Sequence, residues 1–472
     1  MVKHPIYNSS WKKTPFIRVA ISTLAMAVAA SSYAASSAKD LARLGLENTE
    51  LTPTGAVRAG NAEGTIPAWK NTPLKAPPGF KPGTFHLDPF PTDKVKFTIT
   101  SRNYQRHADK LTAGQLKMFE TYPDYFMNIY QTRRSTVYKP YVYEAALQNA
   151  EKAELYKASD GRLGFNNAVI AWAFPTPKNG DEALLNQVTR PQPLWMGSWD
   201  NTAAVGSNGD YVLSEISVQQ NWQWSDPGNT LENFDPSVDQ MFYLQTIKAP
   251  ATSAGQVIVA NDPVHFIEKF RSAWVYNPGQ RRVKRAPQIV HDSPLPASDG
   301  LATTDQRFGL NGPKDRFNYK LLGKREIYIP YNSYKINSGD LKYEDIISQN
   351  GRLNQNHARY ELHRVWIVEA SLREEYRHDY SKRVYYLDED SWMIALMDGY
   401  DTKSDIWRLQ ETHSLMWYDV GFLGSTLDVH YDLSANRMLA LYLDNEVDAP
   451  DFTLRLKKRY FTPASMRRRS VR

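Results

Sequence analysis

Histidines and clustered carboxylates are the side chains of this sequence that could hold a metal ion or move a proton. His363 and His430 fall in strand-like runs, so their imidazoles could meet on one face of a sheet and bind a metal. The nine histidines after residue 34 are scattered, however: His86, His107, His265, His291, His357, His363, His378, His413 and His430. Ordinary packed or exposed histidines are therefore the favoured interpretation, and a metal site is the alternative.

Acidic residues cluster at two places along the chain. Residues 388–390, Asp-Glu-Asp, could bind Ca²⁺, but acidic tight turns between strands are common. The stretch 444–451 is likewise interpreted as a solvated edge. Glu369, Glu374 and Glu375 could supply paired carboxylates for a hydrolase, although nothing in the sequence places them in one pocket.

The motifs of the common catalytic sites are missing. The sequence has no HExxH, HxH, GxSxG, P-loop or GxGxxG pattern. It has no cysteine, which excludes disulfides, a thiol nucleophile, thiolate-bound metals and a lipidated N-terminal cysteine. We therefore predict a protein that is not an enzyme and has no cofactor or metal ion; an envelope hydrolase acting on lipid or glycan is the alternative.

Arginines recur in pairs or beside tyrosines. The sets are Arg133 with Arg134, Arg281 with Arg282, and Arg383 with Tyr385 and Tyr386. Such guanidinium groups can bind an anionic headgroup. They can also form cation–π contacts and hydrogen bonds within a tyrosine-rich sheet, which is the favoured interpretation.

The first 34 residues have the pattern of a secretory signal peptide. Lys12, Lys13 and Arg18 precede an apolar stretch at 19–30, which is too short to span a membrane, and 32–34 (Ser-Tyr-Ala) form a small-x-small cleavage site. A core helix is the alternative interpretation. A large exported chain without cysteine is typical of bacterial envelope proteins, so we expect the protein in the periplasm, with a possible association with the outer membrane.

The net charge gives no argument for a nucleic-acid partner. The whole chain has 57 basic and 51 acidic residues, a formal charge of +6. Removal of the four basic residues before position 35 leaves 53 basic against 51 acidic residues, or about +2. No basic stripe interleaved with aromatic residues is visible, so nucleic acid is excluded as a partner.

The most regular part of the sequence is a run of strand patterns between residues 360 and 446. Its β-branched and aromatic residues, bounded by Asp, Gly, Ser and Asn, predict six strands at 361–372, 382–387, 391–400, 405–418, 425–433 and 437–444. Connections this short cannot hold crossover helices, so neighbouring strands must be antiparallel. With 12% aromatic residues, the composition also indicates a mainly β protein.

The faces of these strands differ. In 425–433, Leu427, Val429, Tyr431 and Leu433 alternate with Thr426, Asp428, His430 and Asp432, which predicts a solvated polar face. The strand 391–400 is apolar on both sides. We therefore expect the central strands to be covered on both faces, by helices, by the N-terminal half of the chain or by an apolar ligand.

The remaining chain mixes helices, strands and irregular segments. Helices are predicted at 112–122, 141–157 and 180–189, with a further one starting at Asp262-Pro263. Strands are predicted at 125–138, 210–224, 239–247, 256–260 and 325–331, and a hairpin at 273–277 and 281–285. Residues 51–97 are expected to be irregular chain lying over the main body, and 286–317 a long loop.

Several blocks of sequence resemble a bacterial envelope family named domain of unknown function 1329. The blocks keep the same order over nearly the whole chain: 51–69, 273–287, 292–300, 323–332, 363–369, 381–396 and 461–468. The family is regarded as related to the LolA/LolB lipoprotein carriers. The resemblance implies a curved antiparallel sheet or incomplete β-barrel, with helices closing its mouth and an apolar interior for acyl chains. Family members often accompany exporters of the resistance–nodulation–division type. This chain is more than twice as long as LolA, which puts lipoprotein itself as the cargo in doubt.

These observations combine into one hypothesis. We expect a mainly β (α+β) soluble periplasmic carrier for a lipid, sterol or hydrocarbon, working with an exporter or an outer-membrane partner; an outer-membrane β-barrel is a further alternative. The predicted parts are a signal peptide at 1–34, an N-terminal segment with helices at 35–190, the sheet at 191–448 and a tail at 449–472. The residues predicted to line core or cavity are Trp366, Tyr385, Trp392, Ile394, Trp407 and Trp417.

Overall fold

The computed structural model describes residues 31–33, 37–234, 239–287 and 289–469. Its strands are β1 Ser31–Tyr33, β2 Phe97–Thr100, β3 Phe126–Ile129, β4 Glu154–Lys157, β5 Leu163–Asn166, β6 Trp195–Trp199, β7 Asn201–Val205, β8 Tyr211–Trp222, β9 Asp239–Ala249, β10 Val257–Pro263, β11 Ser272–Asn277, β12 Arg282–Arg285, β13 Phe317–Pro330, β14 Tyr360–Leu372, β15 Lys382–Asp388, β16 Ile394–Tyr400, β17 Ile406–Trp417, β18 Phe422–Asp432 and β19 Arg437–Leu443. The α-helices are α1 Ala38–Leu41, α2 Ala113–Thr121, α3 Pro140–Lys152, α4 Gly180–Val188, α5 Tyr343–Ile346 and α6 Pro463–Arg469. Short 3₁₀ helices lie at Tyr104–Lys110, Gln223–Ser225, Thr304–Gln306 and Lys458–Phe461.

The predicted signal peptide falls almost wholly outside the described residues. Only β1 belongs to it, and this strand pairs antiparallel with β4. Across the described ranges, no helix combines the length and apolar character that crossing a bilayer requires.

One large sheet organises the molecule. The six predicted strands of the C-terminal half are β14–β19, and each pairs antiparallel with the next, which confirms the predicted meander. Beyond β19 the order continues through β7, β8, β9, β10, β11 and β12; beyond β14 it continues through β3 and β2. Since β12 and β2 end the path, the sheet is open along the described chain, and the predicted mainly β fold is confirmed. Its one departure from an antiparallel pattern is the β3–β14 pair, which is parallel.

Strand register divides the sheet into two faces. The pairs Tyr385–Met397, Met397–Gln410 and Gln410–His430 place these four side chains on one face. Helices α3 and α4 pack there, because Val142, Tyr143 and Leu184 share a core with Tyr385 and Met397. We call this the α3 face.

The opposite face carries α2 and is called the α2 face. Leu396, Glu411 and Val429 lie opposite one another across three strands. Met118 and Phe119 of α2 share the core of Val429. Both faces of the central strands are therefore covered, as expected, by helices and by the N-terminal half of the chain.

The predicted helix starts at 112 and 180 are confirmed by their caps. Thr112 and Gln115 form a reciprocal capping box at α2, and the Asn179 side chain caps α4. The helix predicted at 141–157 ends earlier, at Lys152, because β4 begins at Glu154. The run 125–138 yields only β3.

The helix predicted from Asp262 is wrong. Strand β10 runs through Val257–Pro263, and residues 264–271 contain turns instead of a helix. The Asp262 carboxylate does not cap a helix but accepts two hydrogen bonds from Arg271, at 2.5 and 2.7 Å. A tertiary ion pair thus replaces the local contact that the Asp-Pro pattern indicated.

The segment 51–97 is held by specific contacts, in agreement with the prediction of irregular chain on the main body. It contains no helix or strand before β2. Leu51, Ile66 and Trp69 are buried, and the Trp69 indole N–H donates to the carbonyl of Thr136 at 3.4 Å. The Arg58 guanidinium lies 5.2 Å from the centre of the Trp69 ring.

Candidate ligand cleft

Helices do not fill the whole α3 face. Beside them lies a cleft, which we call the main cleft, with a cavity volume of about 60 Å³ within about 750 Å³ of space that includes open solvent. One side is formed by Phe308 of the covering loop, which we define as residues 289–316, ahead of β13. The lining residues are Arg190, Gln192, Met196, Ser198, Trp199, Asp200, Gln220, Trp222, Phe308, Asn337, Met393, Ile394, Thr412, Trp417, Gly424, Ser425, Thr426, Asp428, Tyr442, Asp444 and Pro450.

One part of this lining is apolar and aromatic. The rings of Trp222 and Phe308 lie edge to face, with centroids 5.7 Å apart. Trp417 packs against Phe452 and lies directly over Gly424, where a Cβ atom would overlap the indole ring. The absence of a side chain at Gly424 thus leaves room for the Trp417 indole against β18.

The floor of the cleft is polar. Thr412 and Asp428 are direct neighbours across β17 and β18, and the Ser425 hydroxyl donates to Asp428 Oδ1 at 2.6 Å. Burial raises the pKa of the Asp428 carboxyl to about 6. An amphipathic ligand would therefore meet apolar and polar surface in one space.

This polar floor corrects the prediction of a solvated face on β18. Thr426, Asp428, His430 and Asp432 are all buried. The covering loop lies over them: the Gln306 side chain contacts His430 Nδ1 at 3.3 Å, and Arg408, which bonds to Asp432, also donates to the Gly300 carbonyl. Alternation showed that the two faces differ in polarity, but it could not show what covers the polar one.

A second cleft adjoins the first and contains two buried cations. Its cavity volume is about 40 Å³, within about 460 Å³ of space that includes open solvent, and it shares Arg190, Gln192, Trp222 and Phe308 with the main cleft. Lys314 also lines it. Phe308 lies at the boundary of both spaces, with its backbone in the left-handed region at φ 58°.

Two of the four carboxylates that line the two clefts are paired with arginines. Asp200 pairs with Arg307 at 2.6 Å, and Asp262 pairs with Arg271. Burial raises the pKa of the Asp444 carboxyl well above its usual range. Its Oδ1 accepts a hydrogen bond from Asn337 at 3.1 Å.

The structure places the six predicted aromatic and aliphatic residues in three different environments. Ile394 and Trp417 line the main cleft. Trp366, Tyr385 and Trp392 belong to the core under α3, where the two indoles stack with centroids 5.5 Å apart. Trp407 lies elsewhere, with its N–H donating to Asp432 at 3.0 Å.

His363 and His430 do not meet. Alternation along β14 places His363 with Val365 and Ile367 on the α2 face, whereas His430 lies on the α3 face. Burial lowers the pKa of His430 to about 3, assisted by the Arg408 charge, so its imidazole is neutral.

The acidic turn at 388–390, interpreted from the sequence as an ordinary tight turn between strands, is buried. Asp390 accepts two hydrogen bonds from Arg134, at 2.9 and 2.6 Å. Glu389 contacts Lys324 at 2.9 Å and Arg364 at 3.2 Å. Asp444 and Asn445 of the predicted solvated edge are buried as well.

This turn could also be considered as a metal site, because ligand atoms of His363, Asp388 and Asp390 lie within 4.8 Å of one another. Arg134, however, already occupies both oxygens of Asp390. Burial, reinforced by Asp390, raises the pKa of Asp388 to about 7. The arrangement is therefore an ion-pair network that joins the N-terminal half of the chain to the sheet.

Arg383 shows the cation–π contacts that the sequence favoured. Its guanidinium lies 4.6 Å from the ring centre of Tyr380 and 5.1 Å from that of Phe317, and it pairs with Asp305 at 2.8 Å. The cations of the cleft, Arg190 and Lys314, were not anticipated. No local pattern distinguishes them from surface cations, because their burial depends on the covering loop and on strands far away in sequence.

The open sheet with helices on both faces and a cleft beside them places this chain among mainly β proteins with some helix. Comparison with known proteins gives the family. Residues 98–467 match the family described as protein of unknown function (DUF1329). A Pseudomonas aeruginosa protein, named Uncharacterized protein PA3922, is 39% identical over 466 residues, which cover 98% of this chain and 100% of that protein. The chain belongs to the DUF1329 family.

Solved structures with a similar course of the chain include a DUF1329 family protein from Desulfovibrio piger, at 14% identity and a TM-score of 0.40. This likeness covers 60% of the present chain and 95% of the other. A LolA superfamily protein from Nitrosomonas europaea is 12% identical with a TM-score of 0.35, over 61% of this chain and 98% of that one.

Proposed function

We propose that this protein is a carrier or binding protein of the periplasm that takes up a hydrophobic ligand, such as a lipid, a sterol or a hydrocarbon. The observation that carries the proposal is the main cleft, which combines Met196, Trp222 and Trp417 with a polar floor. Apolar ligand surface moved from water onto such side chains is stabilised by roughly 25 cal/mol per Å².

The location and the partner are proposals drawn from the sequence. The apolar stretch at 19–30, with its preceding basic residues, supports export through a cleaved signal peptide. The resemblance noted above supports an exporter of the resistance–nodulation–division type, or an outer-membrane protein, as the partner. The ligand would move between them by reversible binding in the cleft.

Binding without catalysis is the function that this geometry supports best. The cleft contains Ser425 beside Asp428, but no histidine is among the residues that line it. A hydrolase of the serine type needs a base within reach of its nucleophile. A hydrolase is therefore the weaker alternative.

Native mass spectrometry tests the proposal. The protein is purified from a periplasmic extract without detergent, weighed intact and then extracted with organic solvent. We expect a stoichiometric hydrophobic ligand that is released on extraction. Empty protein that also fails to take up a fluorescent fatty acid and a fluorescent sterol would contradict the proposal.

A pair of variants shows whether the ligand lies in the main cleft. Met196→Trp fills space inside the cleft, and we expect it to reduce the bound fraction. Leu322→Trp adds a tryptophan at a side chain that is 49% exposed, and it should leave the bound fraction unchanged. Equal occupancy in both variants would place the ligand elsewhere.

A further inference from the structure

Two buried cations of the clefts have no carboxylate partner within the described chain. Arg190 is 9% exposed and Lys314 is 6% exposed. The Arg190 guanidinium is held by the Gln192 amide oxygen, 3.0 Å from Nη2 when the amide is oriented to satisfy it. The Lys314 ammonium donates to the Gly312 carbonyl at 2.6 Å and lies 5.6 Å from the Phe266 ring centre.

Burial makes these charges costly. Burial lowers the pKa of Arg190, although Tyr138 and Asp428 act to raise it. Burial also lowers the pKa of Lys314, to about 8. A buried ionic group is normally paired, since an unpaired charge loses its hydration without compensation. Two such groups on one cleft therefore indicate a site that an anion completes.

Neighbouring acids do not supply that anion. Both oxygens of Asp262 are taken by Arg271. The Asp428 carboxylate accepts a hydrogen bond from Ser425, and its charge acts on Arg190 without a direct ion pair between the two among the described residues. Asp200 is matched by Arg307. Asp305, whose charge also acts on Lys314, is paired with Arg383, and Asp315 acts on Lys314 as well. Among the residues that line the second cleft, Arg190 and Lys314 outnumber the one carboxylate, Asp262, while the main cleft next to it combines aromatic side chains with a polar floor.

We propose that the ligand is an anionic amphiphile whose carboxylate or phosphate headgroup binds between Arg190 and Lys314, with its apolar tail in the main cleft. This inference rests on the proposed carrier function and narrows its ligand class. Arg190 lines both clefts, so it marks the point where headgroup and tail meet. Guanidinium groups bind carboxylate and phosphate through paired, charge-assisted hydrogen bonds.

Matched ligands separate the headgroup from the tail. Tetradecanoic acid, tetradecyl phosphate and 1-tetradecanol share one chain length, and their affinities are measured by displacement of a neutral fluorescent probe at pH 7. We expect the two anions to bind at least about tenfold more tightly than the alcohol. Equal affinity of acid and alcohol would overturn this inference and leave the carrier proposal standing. Failure of all three ligands to bind would contradict the carrier proposal itself.

Inorganic phosphate and acetate distinguish a lipid headgroup from a free anion. We expect neither to displace the probe at concentrations where tetradecyl phosphate saturates the protein. Displacement by inorganic phosphate at the same concentration would overturn the amphiphile and indicate a simple anion site.

Variants then identify the residues. Arg190→Gln and Lys314→Gln should each reduce the preference for acid over alcohol, while affinity for the alcohol stays similar. Arg282→Gln removes the same charge from an exposed position on β12 and should keep the preference. An unchanged preference for acid over alcohol in both cleft variants would overturn the assignment of Arg190 and Lys314 to the headgroup site. A variant that loses this preference but still binds the alcohol is shown to be folded.

Discussion

Arg190 is a single residue at which anion binding and the stability of the ligand-free protein make opposite demands. Its guanidinium is buried, is held by one side-chain amide and has no acid within ion-pair distance in the described structure. A group that awaits an anion destabilises the empty protein, because folding removes its hydration.

Replacing this arginine should therefore stabilise the ligand-free protein. We expect Arg190→Met to raise the free energy of unfolding by about 1–2 kcal/mol, since an unpaired buried charge is exchanged for apolar volume. Urea unfolding of delipidated protein measures this change. Arg282→Met, at an exposed site, should change it by less than about 0.5 kcal/mol. A clear loss of stability in Arg190→Met would show that the guanidinium has a structural role.

Lys314 gives the site a pH dependence of known sign. Burial lowers the pKa of its ammonium to about 8; Asp262, Asp305 and Asp315 oppose this shift and Arg271 adds to it. The unfolded chain holds this proton up to a pKa of about 10.4. Between pH 8 and about 10 the unfolded state binds more protons, so the contribution of Lys314 to stability rises with pH.

Affinity for an anion should change in the opposite direction. Above pH 8 the empty site loses the Lys314 charge, so a permanently charged ligand such as tetradecane sulfonate should bind more weakly at pH 9.5 than at pH 7. In Lys314→Met we expect weaker binding at pH 7 and little further loss at pH 9.5. Parallel pH profiles in the two proteins would show that another group titrates.

At the scale of elements, the buried turn between β15 and β16 connects distant parts of the chain. Arg134 pairs with Asp390 at 2.6 Å and also donates to the carbonyl of Val57 at 2.9 Å. Glu389 accepts from the backbone N–H of Val57 at 3.2 Å. The turn therefore holds the irregular N-terminal segment against the sheet.

Arg134→Met should be strongly destabilising. It leaves the carboxylates of Glu389 and Asp390 buried with fewer cations, a change that costs about 3–5 kcal/mol. Arg437→Met is the matched control, because Arg437 makes an ion pair of equal length, 2.6 Å, with an exposed Asp299. Loss of this exposed pair should cost less than about 1 kcal/mol. Chemical denaturation of both variants measures the difference; similar values would contradict the structural role of the turn.

Sequence patterns predicted the helices and strands better than the long-range contacts that these elements make. The meander β14–β19 was predicted because each strand combines β-branched and aromatic residues with turn residues at its ends, and the pairings within it join consecutive strands. The helix at Asp262 was predicted wrongly because its signal is local, whereas Arg271 acts through space. The candidate cleft was not predictable, since it assembles Arg190, Phe308 and Asp428 from distant segments.

The molecule as a whole is a sheet covered on both faces, and the covering loop bounds both clefts through Phe308. The predicted division at residues 34, 190 and 448 stays a prediction, although the core under α3 combines residues from both sides of position 190. A ligand that reaches the cleft must pass this loop or the segments beside it.

Crosslinking the covering loop tests that route. A Cβ atom on Gly309 would lie 3.3 Å from Cβ of Ile394, close to the separation of about 3.5–4.5 Å in a disulfide. Because the chain has no cysteine, Gly309→Cys with Ile394→Cys introduces a single pair. We expect the oxidised protein to take up a fluorescent fatty acid more slowly than the same protein after reduction.

A cysteine at position 309 is strained, because the φ of Gly309 is 84°. The oxidised and reduced forms both contain this cysteine, so the strain does not affect the comparison between them. Equal uptake rates would show that the ligand enters elsewhere. Stopped-flow fluorescence provides the rates.

The buried turn contacts residues that are far away in sequence, and these contacts limit the order in which parts of the protein can fold. The Trp392 indole donates to the carbonyl of Thr54 across 338 positions of sequence, and Val57 meets Glu389 across 332. Such non-local contacts cannot form until most of the chain has been synthesised, and they slow folding. Until the strands of the C-terminal half are present, the N-terminal segment exposes the aromatic residues that are buried in the folded protein. Apolar surface exposed during that interval makes a nascent chain prone to aggregation.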